Sequence, residues 1–149
     1  MKITKRTAKV EDTEFARTVH HIAYHDVVVR QFGGWDEEKQ NSFFKNDWNN
    51  GEGFEIILLD NIPCGYYSFE ERENEIIGKE LVLLPEFQGK GIGTNILTEL
   101  IELSKVKNKV LKIGALKENK ALELYRRLGF KDSEKNETHI ELTFKGDTK

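Results

Sequence analysis

Hydrophobic residues recur every three or four positions in one stretch of the chain: Ile92, Ile96, Leu97, Leu100, Ile101 and Leu103, with Asn95, Glu99, Glu102 and Lys105 mainly opposite. That spacing predicts an amphipathic helix with one packed and one wet face. Just upstream, Leu81 to Leu84 is a short unbroken apolar run closed by Pro85. It reads as a strand buried on both faces, ended by a residue that cannot donate to a ladder. Nearer the start, Lys2 to Arg6 suits a first strand. Asp12 or Thr13 caps a helix carrying Phe15, Val19 and Ile22, extended by Val27 to Val29 and ended by Gly33-Gly34. A second helix follows from Asp36 to about Trp48. Phe54 to Leu59 and Ile62 to Phe69 read as strands joined by Asp60-Asn61, a two-residue hairpin connection.

Glu70 to Glu75 is a charged turn before the strand that enters the apolar run. After the central helix, Val110 to Leu116 reads as a strand with Leu111, Ile113 and Ala115 on one side. A short helix from about Asn119 to Leu128 carries Ala121, Leu124, Tyr125 and Leu128 on its apolar face and ends at Gly129. Strands near Phe130 to Ser133 and Thr138 to Phe144 close the chain. The order of elements predicts an α/β or α+β fold with a mixed sheet, and not a doubly wound Rossmann fold. Residues 1–149 read as a single domain, with no repeat, low-complexity segment or dividing linker.

A net charge of -3 with both signs interspersed argues against nucleic acid as the main partner. No run approaches the roughly 18 apolar residues that a membrane span needs, and the first residues carry no apolar signal core. The single cysteine, Cys64, excludes an intrachain disulfide framework and reads as a packing residue in a reducing, cytoplasmic compartment. No metal site is expected. The oligomeric state is open, and a homodimer is admitted.

Between the apolar run and the helix lies Gln88-Gly89-Lys90-Gly91-Ile92-Gly93. Three glycines in five positions let the backbone approach an anion, and the helix behind them adds its N-terminal amides and dipole. A Walker loop does not fit, because Lys90 is followed by Gly91 and Pro85 stands where a glycine is required. The dinucleotide fingerprint fits weakly, since Thr94 occupies the place of its third glycine.

The same six residues resemble the pyrophosphate-binding motif of the GNAT N-acetyltransferase superfamily: Gln or Arg, two residues, Gly, one residue, Gly or Ala. The leucine-rich strand ending in Pro85 and the later block Ala121 to Phe130, with its tyrosine and closing Leu128-Gly129-Phe130, extend the likeness. The resemblance implies a mostly antiparallel central sheet of six to seven strands flanked by about four helices. It also implies acetyl-CoA as co-substrate, with its pyrophosphate on the backbone N–H groups of Gln88, Gly89, Lys90, Gly91, Ile92 and Gly93. Its pantetheine would then lie between the strands at Leu81 to Leu84 and Val110 to Leu116. The backbone N–H of Leu83 corresponds to the one that polarises the acetyl carbonyl, and donors of this kind are worth about 2.7 to 4 kcal/mol. Tyr125 matches the tyrosine that protonates the departing thiolate. Asn119 is carried over as a cofactor contact, although it stands six residues before Tyr125 where the family has seven; a plain helix N-cap is the other reading.

The attacking amine must lose a proton, and Glu80 is the first candidate for the base, with His20, His21 and His25 as alternatives. The acceptor end is expected in the aromatic region His20 to Trp48, where Tyr24 and Trp35 beside acidic groups suit a small cationic or aromatic amine. The expected function is therefore direct acetyl transfer from acetyl-CoA to a primary amine, most simply of a small molecule. A peptide or protein amine, and a non-catalytic acyl-CoA sensor, are the alternatives.

Overall fold

The computed structural model describes residues 1–146. In chain order the elements are β1 (Ile3–Thr7), α1 (Thr13–Phe32), α2 (Glu37–Trp48), β2 (Phe54–Leu59), β3 (Ile62–Glu71), β4 (Glu75–Leu83), α3 (Ile92–Val106), β5 (Val110–Leu116), α4 (Ala121–Arg127), β6 (Lys131–Lys135) and β7 (His139–Phe144). They form one mixed sheet of seven strands in the order β1-β2-β3-β4-β5-β7-β6. Only β4 and β5 have a recorded parallel register, Glu75–Gly78 against Val110–Ile113, with α3 as the crossover. The α+β reading with a mostly antiparallel sheet and four helices is what the chain adopts. No described helix is long and apolar enough to cross a membrane.

The chain condenses into two compact units, Met1–Ser68 with Glu80–Lys90, and Phe69–Lys79 with the residues from Gly91 onward. In the first, α1 and α2 cover β2, β3 and the end of β4. Its core joins Ala16 and Val19 of α1, Phe44 and Trp48 of α2, Phe54 and Ile56 of β2, Tyr66 of β3 and Val82 of β4. Trp48 sits at the centre, its ring 4.9 Å from Phe54, 5.4 Å from Tyr66 and 5.8 Å from Phe44, while its indole N–H donates to Thr13 Oγ1 at 2.9 Å. Val27 and Val28 continue α1 without a break, and Gly33 ends it in the left-handed region. Ile22, expected on the packed face, is exposed; His20 is buried in its place, because the face that meets α2 runs through Ala16, Val19 and His20.

The Asp60-Asn61 connection is a tight hairpin with both residues at positive φ, the geometry of a type I′ turn. At the bulge between Ile57 and Leu58, the buried Cys64 lies opposite and its Sγ donates to the Ile57 carbonyl at 3.4 Å. Cys64 is thus the packing residue expected. Next to it, Gly65 runs so close to β4 that a Cβ there would lie 2.1 Å from the Val82 carbonyl oxygen.

In the second unit, α3 buries Ile92, Ile96, Leu97, Leu100 and Ile101, as its period predicts. Leu111 and Ile113 of β5, Leu142 of β7, and Leu122, Tyr125 and Phe130 add to the buried apolar set. The charged turn expected at Glu70 to Glu75 is present and tighter: β3 runs to Glu71, β4 starts at Glu75, and the Arg72 N–H donates to the Glu75 carbonyl at 2.8 Å across it. Three expectations are corrected. Leu81 to Leu84 is not buried on both faces; Val82 alone is buried and its neighbours are half-buried. The last helix is Ala121–Arg127, shorter than expected, since Asn119 and Lys120 serve as its lead-in. The closing strands begin one residue late, at Lys131 and His139, with Asn136 capping the reversal between them.

Replacing Gly65 with alanine should destabilise the chain by about 1–3 kcal/mol or more, since the added methyl must displace backbone. Denaturant unfolding of the variant checks this, and an unchanged midpoint contradicts the close approach.

Candidate functional site

The glycine motif emerges from β4 through a 3-10 turn, Pro85–Phe87. Gly89 and Gly91 have φ of 75° and 85°, where side chains are strained, and a Cβ at either would meet nothing within 4 Å. Gly91 is the N-cap of α3. No side chain caps that terminus and its first turn holds no acid, whereas α2 has Asp36 accepting from the Lys39 N–H and Glu37 and Glu38 behind it. Among the described residues, the positive end of α3 thus has no capping side chain and no acid in its first turn. Gln88 is partly committed: its N–H donates to the Pro85 carbonyl and its side-chain amide to the Leu83 carbonyl at 3.0 Å. It braces the turn, and the cradle's amides begin at Gly89. Lys90 is exposed; Ile92 and Gly93 are buried, so they can meet a ligand only through main chain.

On β4, Glu80 and Leu83 are half-buried. Burial, and then the Asp47 carboxylate, push the Glu80 carboxyl up to about 8. The Tyr66 phenol is fully buried and held well above its usual range by burial first, then by Glu80, Tyr24 and Asp47. Tyr24 and Glu80, chosen separately from the sequence, therefore converge on Tyr66. Trp35 connects to Tyr24 through the rings of His21 and His20. Its indole donates to Glu37 at 2.7 Å, and its ring lies 5.2 Å from His21 and 5.3 Å from His25.

His20 packs with tilted rings against Tyr24 and Phe44, and its pKa falls to about 4, by burial and then by His21. His21 shares a short contact with His20 Nδ1 at 2.9 Å and meets Asn41 at 2.6 Å. His25 is exposed beside Asp26.

In the second unit, Tyr125 is 5% exposed on α4 and burial pushes its phenol up to about 12. It stays protonated through neutral pH and can donate. Asn119 stands one residue before Lys120, the N-cap of α4, and its Oδ1 accepts from the Ala121 N–H at 2.9 Å.

Comparison with known proteins fits these features. The acetyltransferase (GNAT) domain profile matches residues 50–132, more than half of the chain. The chain belongs to the GNAT acetyltransferase family. An uncharacterised N-acetyltransferase from Methanocaldococcus jannaschii is 32% identical over 93 residues, a match that spans 56% of this chain and 41% of that relative's length. Among solved structures, the PaiA N-acetyltransferase from Thermoplasma acidophilum in complex with coenzyme A aligns with a TM-score of 0.79 at 20% identity, covering 97% of this chain and 99% of that one. The ribosomal-protein-S18-alanine N-acetyltransferase from Escherichia coli aligns at 0.65 with 20% identity, over 96% and 93% of the two chains. At these identities the likeness is one of fold.

In this GNAT chain the sequence reading missed that Tyr66 of β3 and Asp47 of α2 lie near Glu80. Tyr66 left a signal, a hydroxyl side chain on the inward face of an apolar strand. Asp47 left none, because only the packing of α2 brings it near Glu80.

The raised Glu80 has a stability consequence. Between its ordinary value of 4.5 and about 8 the folded chain holds a proton that the unfolded chain has lost, so stability falls as pH rises through that window. Glu80→Gln carries no such cost. It should gain on the wild type by roughly 2–4 kcal/mol between pH 5 and pH 9, measured by denaturant unfolding; a difference that does not vary with pH contradicts the buried carboxyl.

Proposed function

We propose that the chain is an enzyme that transfers the acetyl group of acetyl-CoA directly to a primary amine of a small molecule. The observation that carries this reading is Glu80, a carboxyl raised to about 8 and placed three residues before Leu83 on the same strand. A base of that strength matches an amine nucleophile at near-neutral pH.

The chain's residues take these roles. The amides from Gly89 to Gly93 hold the pyrophosphate at the uncapped end of α3. Glu80 accepts one proton of the incoming ammonium and releases it to solvent; the neutral nitrogen then forms the C–N bond as the C–S bond breaks, and Glu80 takes the second proton that the nitrogen sheds on becoming an amide. The Leu83 N–H donates to the acetyl carbonyl oxygen as charge builds there. Tyr125 gives its proton to the leaving sulfur. An acetyl-cysteine route is disfavoured, because Cys64 is fully buried and its thiol is pushed up to about 11 by that burial. A cytoplasmic location accompanies this reading, supported by the lone free thiol.

Amine-dependent thiol release from acetyl-CoA, across simple amines, amino acids and peptides, tests the proposal. Activity with small amines is expected, with kcat/KM rising as pH increases towards about 8. Glu80→Gln should lower kcat by about 100-fold or more at unchanged CoA affinity and abolish that rise. Release with peptides alone would reassign the acceptor, and CoA binding without amine-dependent release would leave a sensor.

Tyr125→Phe should lower kcat while calorimetry finds CoA affinity intact. An undiminished rate removes Tyr125 as the acid. Gly91→Val, by contrast, should weaken CoA binding roughly 10-fold, through strain at φ of 85°.

A further inference from the structure

The side chain of Gln88 belongs to the glycine motif but turns back to the strand behind it. Its Nε2 amide donates to the Leu83 carbonyl at 3.0 Å, while its backbone N–H donates to the Pro85 carbonyl at 3.1 Å. The residue that leads into Gly89 is thus tied to the end of β4 by side chain and main chain together. Closing the Pro85–Phe87 turn needs only the second of these bonds.

What the first bond fixes follows from the planar trans peptides at the end of β4. The Leu84 N–H donates to the Cys64 carbonyl of β3 at 2.9 Å. The Val82 carbonyl oxygen lies so close to Gly65 of β3 that a Cβ there would sit 2.1 Å from it. Val82 and Leu84 therefore turn these polar groups to β3, and Leu83 between them turns both its N–H and its C=O the other way. On that side Gln88 takes the carbonyl, so the peptide joining Leu83 to Leu84 is pinned at both polar ends, by Cys64 and by Gln88. The peptide that carries the Leu83 N–H is set at its other end by Gly65. The recorded register of β4 with β5 stops at Gly78, before Leu83 is reached.

Resting on the transferase reading above, we propose that Gln88 is a positioning residue, whose side-chain amide holds Leu83 so that its N–H stays aimed at the acetyl carbonyl and links the anion loop to that donor. An oxyanion donor is effective because it is held in place before charge develops; one that must reorient during the reaction loses that advantage. The clamp has a second effect. The Leu83 oxygen points to the same side as the Leu83 N–H, and the Gln88 amide covers its partial negative charge, which would otherwise oppose the developing oxyanion. A pyrophosphate held on the amides that begin at Gly89 fixes the backbone beside Gln88, and through it the clamp. Removing the amide therefore reduces the rate and leaves CoA affinity nearly intact.

The test uses the full chain and two variants. Gln88→Met keeps length and neutrality but removes the donor, and Gln88→Arg keeps donors. At saturating acetyl-CoA, Gln88→Met should lower kcat about 10-fold while calorimetry finds the Kd for CoA within about 3-fold of the wild type. Gln88→Arg should hold kcat within about 3-fold. In the CoA-bound chain, amide hydrogen exchange read by NMR should be about 10-fold faster at Leu83 in Gln88→Met, with the β2 amide of Ile56 unchanged. An undiminished kcat in Gln88→Met, or a loss of kcat matched by an equal loss of CoA affinity, overturns the proposal; in the second case Gln88 serves only the cradle. A Gln88→Arg variant as slow as Gln88→Met overturns it too, since a donor would not be what matters. Faster exchange at Leu83 in Gln88→Met, with no thiol release even from the wild type, would instead overturn the transferase reading and leave the clamp standing.

Discussion

The packing of Trp48 governs the first unit. Its indole meets Phe44, Phe54 and Tyr66 and anchors to Thr13, so one side chain joins α1, α2, β2 and β3. Aromatic pairs of this kind add about 0.5–1.5 kcal/mol each beyond the area they bury. The chain reverses at once through Asn49, Asn50 and Gly51, all at positive φ; a Cβ on Gly51 would already lie 3.0 Å from Trp48 Cζ2. Asp47 is therefore held in place by its neighbour.

Strand β4 makes the same point within a few residues. Glu75 is held below its usual range by Lys112, to which it hydrogen-bonds, and it is flanked by Arg72. Glu80 is raised, because burial removes water and the nearest added charge is another acid. The same side chain on the same strand is a fixed anion at one end and a titratable base at the other. The exposed pairs of Glu70, Glu71 and Glu75 contribute little to stability.

The anion cradle follows a similar economy. α2 satisfies its own N-terminus with Asp36, while α3 begins at a left-handed glycine with no capping side chain. Gln88 spends its donors on the turn, which stiffens the approach to Gly89. The N-terminus of α3 and the buried hydroxyls of Tyr66 and Ser68 are thus the polar groups that these elements leave unsatisfied among the described residues.

Much of this was legible in the sequence, for local reasons. The period of α3, the Asp60-Asn61 hairpin, the glycine loop and the closing helix with Tyr125 are written in neighbouring residues, since helix faces, turn conformations and caps depend on a few positions each. Other features were set by distant parts of the chain. Leu81 to Leu84 looked like a fully buried strand, yet only Val82 meets the core. Trp35 and Tyr24 are linked by ring packing through His21 and His20, a contact chain that the sequence did not show. The sequence alone determined the elements and the anion-binding loop, because backbone chemistry of short range is enough for both. Tertiary structure alone decided that Asp47 and Tyr66 stand with Glu80 and that Glu80 titrates near 8, because desolvation depends on what the whole fold packs around a charge.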